Sequence, residues 1–131
     1  VGNKTVKMIL SKGKSLIQSK ILVMGATFKE DVSDIRNSKV VDVINEIKSF
    51  SCHVEVVDPH ADSDEINDEY GFNLVDKINA PYDAVVVAVN HKEYLKLDES
   101  YFKSILTEKG VLVDIKGIFK NSISDIEYWT L

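Results

Sequence analysis

The sequence predicts an α/β fold: a three-layer, Rossmann-like, doubly wound and mainly parallel sheet of five or six strands. Short apolar runs alternate with longer segments of helical periodicity, which is the pattern of a parallel sheet covered by helices. The apolar runs are nearly continuous rather than alternating, as in strands buried on both faces. They lie at residues 21–24, 53–57, 83–89 and 111–115.

Composition limits the possible classes of protein. A chain of 131 residues with 44% apolar and 28% charged side chains is one domain of ordinary soluble composition, large enough to bury a core. Its net charge of −5 argues against general binding to nucleic acid or to membrane surfaces. No apolar run is long enough for a membrane span. The single cysteine, Cys52, excludes an internal disulfide, as expected in a reducing cytoplasm. The start at Val1 suggests a piece of a longer protein.

The first 19 residues are predicted to be the end of a linking helix and a linker, ahead of one domain at 20–131. Residues 1–10 carry apolar side chains at helical spacing, and 11–15 form a polar break. Gly13-Lys14-Ser15 resembles the end of a phosphate-binding loop. Met8 stands where that motif needs its first glycine, and no strand precedes it, so a linker is the better interpretation.

The loop after the first strand is the leading candidate for a binding site. Gly25 ends the strand, and the loop carries Lys29, Asp34 and Arg36 before a helix predicted at 39–50. Its first turn could be capped by the residue at position 37 or 38, an Asn and a Ser. In open α/β sheets ligands gather at the carboxyl ends of the strands, where this loop lies.

The second strand ends at Asp58-Pro59, where a Rossmann fold places the acidic residue that holds a ribose. That role needs a G-x-G-x-x-G turn, whereas this chain has only Gly25, so Asp58 is predicted to form a turn. Residues 61–70 are acidic and compatible with a helix, and a solvated helical face is a better interpretation than a calcium site, because the ligand spacing of a calcium loop is missing. Residues 72–75 are predicted to be a short strand.

The later strands place two more polar groups at the same edge. His91 follows the strand at 83–89 and is either solvated or turned towards a ligand. A helix is predicted at 95–106. Lys116 follows the strand at 111–115, and 126–131 could add an edge strand. With one strand between their own strands, Lys29 and Lys116 would lie about 10 Å apart. They could converge on a diphosphate, with Gly25 and Gly117 admitting the ligand, or both could be solvated.

Several motifs carry a resemblance to a known family. Gly25-Ala26-Thr27-Phe28-Lys29, followed by Asp34-x-Arg36-x-Ser38, resembles the G-x-T-F-K…D-x-R-x-S signature of the UDP-glucose/GDP-mannose dehydrogenases, at the start of their C-terminal UDP-sugar-binding domain. The likeness continues through 82–89, 113–117 and 128–131, over about the last 110 residues.

The resemblance implies roles for four residues. Phe28 and Lys29 would contact the UDP part of the substrate, as would Lys116 after the late strand, and Arg36 would be associated with NAD. UDP-glucose dehydrogenases often have Asp-Gly-Arg where this chain has Asp114-Ile115-Lys116. That departure resembles the branch that oxidises UDP-N-acetylhexosamines.

The resemblance also implies what lies elsewhere. The nucleophilic cysteine and the NAD-binding glycine loop of this family belong to preceding N-terminal and central domains, and Cys52 matches neither. We therefore expect this chain alone to be inactive, and the parent to be a cytoplasmic homodimer serving polysaccharide biosynthesis. The alternative is a non-catalytic doubly wound regulatory or interaction module. A receiver-like domain would need acidic residues where Met24 and Gly25 stand, which counts against that class.

Overall fold

The computed structural model describes residues 1–131 and contains one five-stranded sheet with helices on both faces. In chain order the elements are α1 (Gly2–Ser11), β1 (Lys20–Met24), α2 (Val40–Lys48), β2 (His53–Val57), α3 (Ser63–Tyr70), β3 (Tyr82–Val87), a 3₁₀ turn (Lys92–Tyr94), α4 (Glu99–Ile105), β4 (Leu106–Asp114) and β5 (Glu127–Thr130). None of the helices is both long and apolar enough to cross a bilayer.

All five strands are parallel, in the order β2-β1-β3-β4-β5, so the predicted doubly wound α/β fold is confirmed. Val23 of β1 pairs with Val56 of β2 and with Val86 of β3, and Val86 pairs with Val113 of β4. This order places β3 between β1 and β4. The strands that precede Lys29 and Lys116 are therefore separated by one strand, as predicted.

Alternation along the strands divides the core between the two faces of the sheet. On one face, Ile21 and Val23 pack with α1 and with Ile44 and Ile47 of α2. On the other face, Leu22 and Met24 pack with α4 and the segment around Phe119. Both faces are covered, which explains why the sequence of the inner strands is almost continuously apolar.

Two secondary-structure predictions were wrong in part. Residues 72–75 are not a strand, because their only backbone bond to the sheet runs from the Val75 amide to the Val56 carbonyl at 2.9 Å. The helix predicted at 95–106 begins only at Glu99, where the Asp98 side chain accepts a hydrogen bond from the Tyr101 amide at 2.9 Å. At its other end, Leu106 already belongs to β4.

The predicted side-chain cap of α2 is also wrong. Lys39 is the N-cap residue, and no side chain bonds to the free amides there. Asn37 adopts a φ of 58°, and the Ser38 hydroxyl is buried without a partner. The loop is instead held from α3: the Tyr70 hydroxyl donates to the Ile35 carbonyl and accepts from the Ser38 amide at 3.4 Å.

One carboxylate holds the segment that leads into the edge strand β5, which pairs with β4. Glu99 accepts hydrogen bonds from the amides of Ser124, Asp125 and Ile126 at 2.9, 2.8 and 3.1 Å, immediately before β5. These backbone donors, with that of Asp125 first, lower the pKa of Glu99 to about 2. Because the folded-state pKa lies below the ordinary value of about 4.3, the carboxylate form favours the folded state.

We predict that Glu99→Gln lowers stability at neutral pH and flattens its acid dependence. The contribution of Glu99 is complete above about pH 4.3 and is lost as the pH falls towards about 2. The stabilities of parent and variant should therefore converge as the pH falls through this window. Urea unfolding from neutral pH downwards tests this, with Glu108→Gln, at an exposed position of β4, as the control. A constant difference between parent and variant across the window would contradict the assignment.

Candidate functional site

A cleft of about 450 Å³ lies at the carboxyl edge of the sheet and contains the three residues predicted to contact the substrate. The loop after β1, the start of α2 and the segments after β3 and β4 form its walls. Its lining is Val1, Thr27, Phe28, Lys29, Asn37, Lys39, Val40, Val43, Ala88, Val89, Ile115, Lys116 and Leu131. Phe28, Lys29 and Lys116 thus share one cleft.

Short hydrogen bonds shape the loop that carries Phe28 and Lys29. The Thr27 hydroxyl donates to the Lys29 carbonyl at 2.8 Å, and the Phe28 amide donates to the Asp34 carbonyl at 2.7 Å. The Phe28 side chain nevertheless remains 54% exposed. An aromatic ring left exposed on a fixed backbone is available to contact a ligand, at little conformational cost.

The buried carboxylate of Asp58 anchors this loop to the end of β2. Its Oδ2 accepts from the amides of Ala26 and Thr27 at 2.6 and 3.2 Å, and its Oδ1 accepts from those of His60 and Ala61 at 2.7 and 3.0 Å. The turn predicted at Asp58 is therefore present. Both carboxylate oxygens are occupied, so Asp58 has no free position for a ribose.

His91 completes this anchor and is not solvated, since its side chain is fully buried. Its Nδ1 accepts from the Asp31 amide at 2.9 Å, so Nε2 carries the proton and donates to Asp58 Oδ2 at 2.9 Å. These two bonds assign a neutral imidazole. His91 does not line the cleft; it connects the segment after β3 to the loops after β1 and β2.

Lys116 is presented by a turn organised around buried Asp114. The Asp114 carboxylate accepts from the amides of Ile118 and Phe119 at 3.1 and 2.7 Å, and from the Tyr128 hydroxyl at 2.6 Å. Burial, together with the bond to Asp114, raises the pKa of Tyr128. The aspartate of the V-x-D motif therefore orients the turn and leaves the lysine exposed.

The expected role of the two glycines in admitting a ligand is wrong. Neither glycine lines the cleft. A Cβ at Gly25, where φ is 102°, would lie 2.7 Å from the Cβ of Val89, so this glycine permits close packing between β1 and the chain after β3. Gly117, at a φ of 69°, faces Thr130 rather than open space.

Arg36 lies outside the cleft lining and pairs with its neighbour Asp34. Its Nε and Nη2 donate to the two carboxylate oxygens at 3.1 and 3.2 Å. This bidentate contact lowers the pKa of Asp34 and raises that of Arg36. The Arg36 side chain is 79% exposed, so solvent screens the pair.

Lys39 is a cleft residue that the sequence reasoning missed. It is exposed at the N-cap position of α2, next to Val40, which also lines the cleft. Lys39 directly follows the D-x-R-x-S motif, and this position could have indicated it. The amino end of a helix at the carboxyl edge of the sheet attracts anions.

Two other candidates lie away from this cleft. Cys52 precedes β2, where burial raises the pKa of its thiol and so disfavours the nucleophilic thiolate. Lys14, from the sequence that resembles a phosphate-binding loop, pairs at 3.4 Å with Asp83, near the amino ends of the strands.

A doubly wound α/β domain with a cationic cleft at the carboxyl edge of its sheet has the architecture of a nucleotide-binding domain. The family model for the UDP-glucose/GDP-mannose dehydrogenase family, UDP binding domain, matches residues 22–121. The chain belongs to that family.

Sequence matches to known proteins extend over almost all of this chain. It is 34% identical over 127 residues to the UDP-N-acetyl-D-glucosamine 6-dehydrogenase of Salmonella typhi, a match spanning 96% of this chain and 30% of that protein. It is also 34% identical to Protein CapL of Staphylococcus aureus, over 92% of this chain and 28% of that protein.

Comparison with a solved structure supports the fold. That structure is an NDP-N-acetyl-D-galactosaminuronic acid dehydrogenase from Methanosarcina mazei Go1, which superposes on 98% of this chain and 27% of its own with a TM-score of 0.81 at 22% identity. The chain therefore spans less than a third of the proteins it resembles.

We predict that Asp58→Asn destabilises the fold by about 2–4 kcal/mol, because an amide nitrogen replaces an acceptor of buried backbone donors. Urea unfolding at neutral pH measures the loss. Asp62→Asn is the matched control: Asp62 caps α3 by accepting from Asp64 and Glu65, and asparagine caps helices equally well. Equal effects of the two changes would mean that Asp58 is not the anchor.

Proposed function

We propose that this chain is the UDP-binding part of an NAD-dependent dehydrogenase that oxidises the C6 alcohol of a UDP-N-acetylhexosamine to a carboxylate. The observation that carries the proposal is the meeting of Phe28, Lys29 and Lys116 in one cleft. Membership in the UDP-glucose/GDP-mannose dehydrogenase family, UDP binding domain, supports it.

The diphosphate lies between the lysines of the cleft. Lys29 follows β1 and Lys116 follows β4, so they approach an anion from opposite sides of the segment after β3. A charge-assisted contact of this kind contributes about 1.5–3 kcal/mol. Lys39 and the first turn of α2 add positive potential at the same place.

The nucleoside occupies the apolar part of the cleft. Val40, Val43 and Ile115 form an apolar wall, and the exposed ring of Phe28 offers a face for the uracil base. UDP is therefore recognised in two ways: an aromatic ring contacts the base, and lysines contact the diphosphate.

The sugar is an N-acetylhexosamine rather than glucose. Two observations support this: the Salmonella relative is named for UDP-N-acetyl-D-glucosamine, and Ile115-Lys116 replaces the Gly-Arg common in UDP-glucose dehydrogenases. UDP-glucose, named in the family description, is the alternative substrate.

The remainder of the active site lies in domains outside this chain, which spans 30% of the Salmonella relative. Those domains supply the nucleophilic cysteine and most of the NAD site, so the 131-residue chain alone has no oxidising activity. In the whole enzyme, a cytoplasmic homodimer of polysaccharide biosynthesis, Arg36 leaves Asp34 to contact NAD.

We predict that Lys29→Ala and Lys116→Ala each weaken UDP binding about ten- to a hundred-fold, since each removes one ionic contact. Uridine, which lacks the diphosphate, should be affected far less. Calorimetry of UDP and uridine against the parent, the two variants and the double variant measures both effects. The two changes should be non-additive, because both lysines act on one ligand.

Lys109→Ala is the matched control for this experiment, because Lys109 is also exposed but lies in the first half of β4, away from its carboxyl end. It should leave both affinities unchanged. Equal loss of UDP and uridine affinity, or no effect of Lys116→Ala, would refute the diphosphate contact. No UDP binding by the parent chain would favour a non-catalytic module.

We predict that Arg36→Ala in the full-length enzyme raises the KM for NAD more than the KM for the sugar nucleotide. Steady-state kinetics with each substrate varied in turn is the measurement. Asp34→Ala, which also breaks the ion pair but keeps the arginine, is the control. An unchanged NAD parameter together with a lower Tm would assign Arg36 to the ion pair alone.

A further inference from the structure

A second cluster of ligand-type side chains lies beside the cleft, on the other side of the loop after β1. It joins Asp31 of that loop, His60 after β2 and His91 after β3, and one potential ligand atom from each lies within 4.8 Å of the other two. Glu93, in the 3₁₀ turn, adds a carboxylate oxygen 2.9 Å from His60 Nε2. Four side chains from three separate segments therefore converge at the carboxyl edge.

The spacing of these atoms suits a small divalent cation. Bonds of about 2.0–2.1 Å in a tetrahedral zinc site separate neighbouring ligand atoms by roughly 3.3 Å. His60 Nε2 lies 3.9 Å from Asp31 Oδ1 and 2.9 Å from Glu93 Oε1, on either side of that value. Asp31, His60 and Glu93 are partly exposed, so their side chains have room to adjust towards that spacing, whereas His91 is fixed by burial.

The orientation of His91 is the second observation. Its Nε2 proton is directed at the buried carboxylate of Asp58, 2.9 Å away, so its lone pair lies on Nδ1, which accepts from the backbone amide of Asp31. A carboxylate behind the imidazole is the usual support of a metal-binding histidine, because it fixes the tautomer and raises ligand basicity. A metal ion would take the Nδ1 lone pair in place of the Asp31 amide.

Charge and access favour the same chemistry. The side chains of Asp31 and Glu93 are 45% and 41% exposed and that of His60 is 21% exposed, so an ion can reach these three ligands from solvent, while His91 is buried. Two carboxylates balance a divalent charge. Imidazole nitrogens select zinc, cobalt or nickel over magnesium and calcium, which prefer sites made only of oxygen.

We propose that Asp31, His60, His91 and Glu93 form a binding site for a divalent transition metal of the zinc class. The ion would cross-link the loop that carries Phe28 and Lys29 to the segments after β2 and β3. None of the four residues lines the cleft, so the metal site can be tested independently of the UDP site.

The test uses tag-free protein freed of metal by a chelator and titrated at neutral pH with Zn²⁺ by calorimetry and with Co²⁺ by visible absorption. We expect one ion per chain at micromolar affinity or better, d–d bands that report nitrogen ligands, and a Tm that rises with free Zn²⁺. Mg²⁺ should produce none of these changes.

The decisive variants are His60→Gln and Asp31→Asn, which change partly exposed residues and should leave the far-UV spectrum intact. Each should weaken Zn²⁺ binding at least ten-fold. His53→Gln is the matched control: His53 Nε2 also lies beside a carboxylate, Glu55 Oε2 at 3.2 Å, but that surface pair has no further ligands. Absence of Zn²⁺ and Co²⁺ binding, or an effect of His53→Gln equal to that of His60→Gln, would overturn the site.

Discussion

The buried carboxylate of Asp58 is the interaction on which the functional edge of this domain depends. Four backbone amides that follow β1 and β2 donate to it, and so does the imidazole of His91. Loops at the end of a parallel sheet have lost their ladder partners, and buried amides without acceptors are costly. One carboxylate at the end of β2 satisfies them together and ties three segments into a single surface.

The sheet determines where this surface holds its exposed groups. Because β1, β3 and β4 are adjacent and parallel, the loops that carry Lys29 and Lys116 emerge at the same edge with one strand between them. Asp114 repeats at the end of β4 what Asp58 does at the end of β2, since its carboxylate accepts the amides of the following turn. The two lysines are thus exposed side chains on backbone segments that hydrogen bonds hold in place.

Features of this domain could be predicted from the sequence when they depend on local patterns, and could not when they depend on contacts between residues far apart in the chain. The five strands of the sheet and the shared edge of Lys29 and Lys116 follow from local pattern and the geometry of parallel sheets, and they were predicted, although the extra strand predicted at 72–75 is absent. The pairing of Asp58 with His91 joins residues 33 positions apart, and no periodic pattern marks such a contact. Their burial therefore could not be inferred from composition or spacing.

Local rules failed where a distant residue supplied the partner. Either Asn37 or Ser38 has the side chain of a helix cap, but the Tyr70 hydroxyl from α3 contacts the Ile35 carbonyl and the Ser38 amide instead. Gly25 has the conformational freedom of a ligand-binding glycine, but its missing Cβ leaves room for Val89. In both places the residue type suggested a local role, but a contact with a residue distant in sequence determines the structure.

The same anchoring determines how the domain could meet a ligand or a partner domain. Phe28, Lys29, Lys39 and Lys116 are exposed. The Thr27 hydroxyl and the Phe28 amide hold the backbone around Phe28 and Lys29, and the Asp114 carboxylate holds the turn that carries Lys116. Binding then costs side-chain entropy but little loop ordering, which favours affinity from few contacts. Arg36 differs, because it must exchange Asp34 for any new anion. Since that pair is exposed and screened, the exchange costs little free energy, which is what the proposed contact of Arg36 with NAD requires.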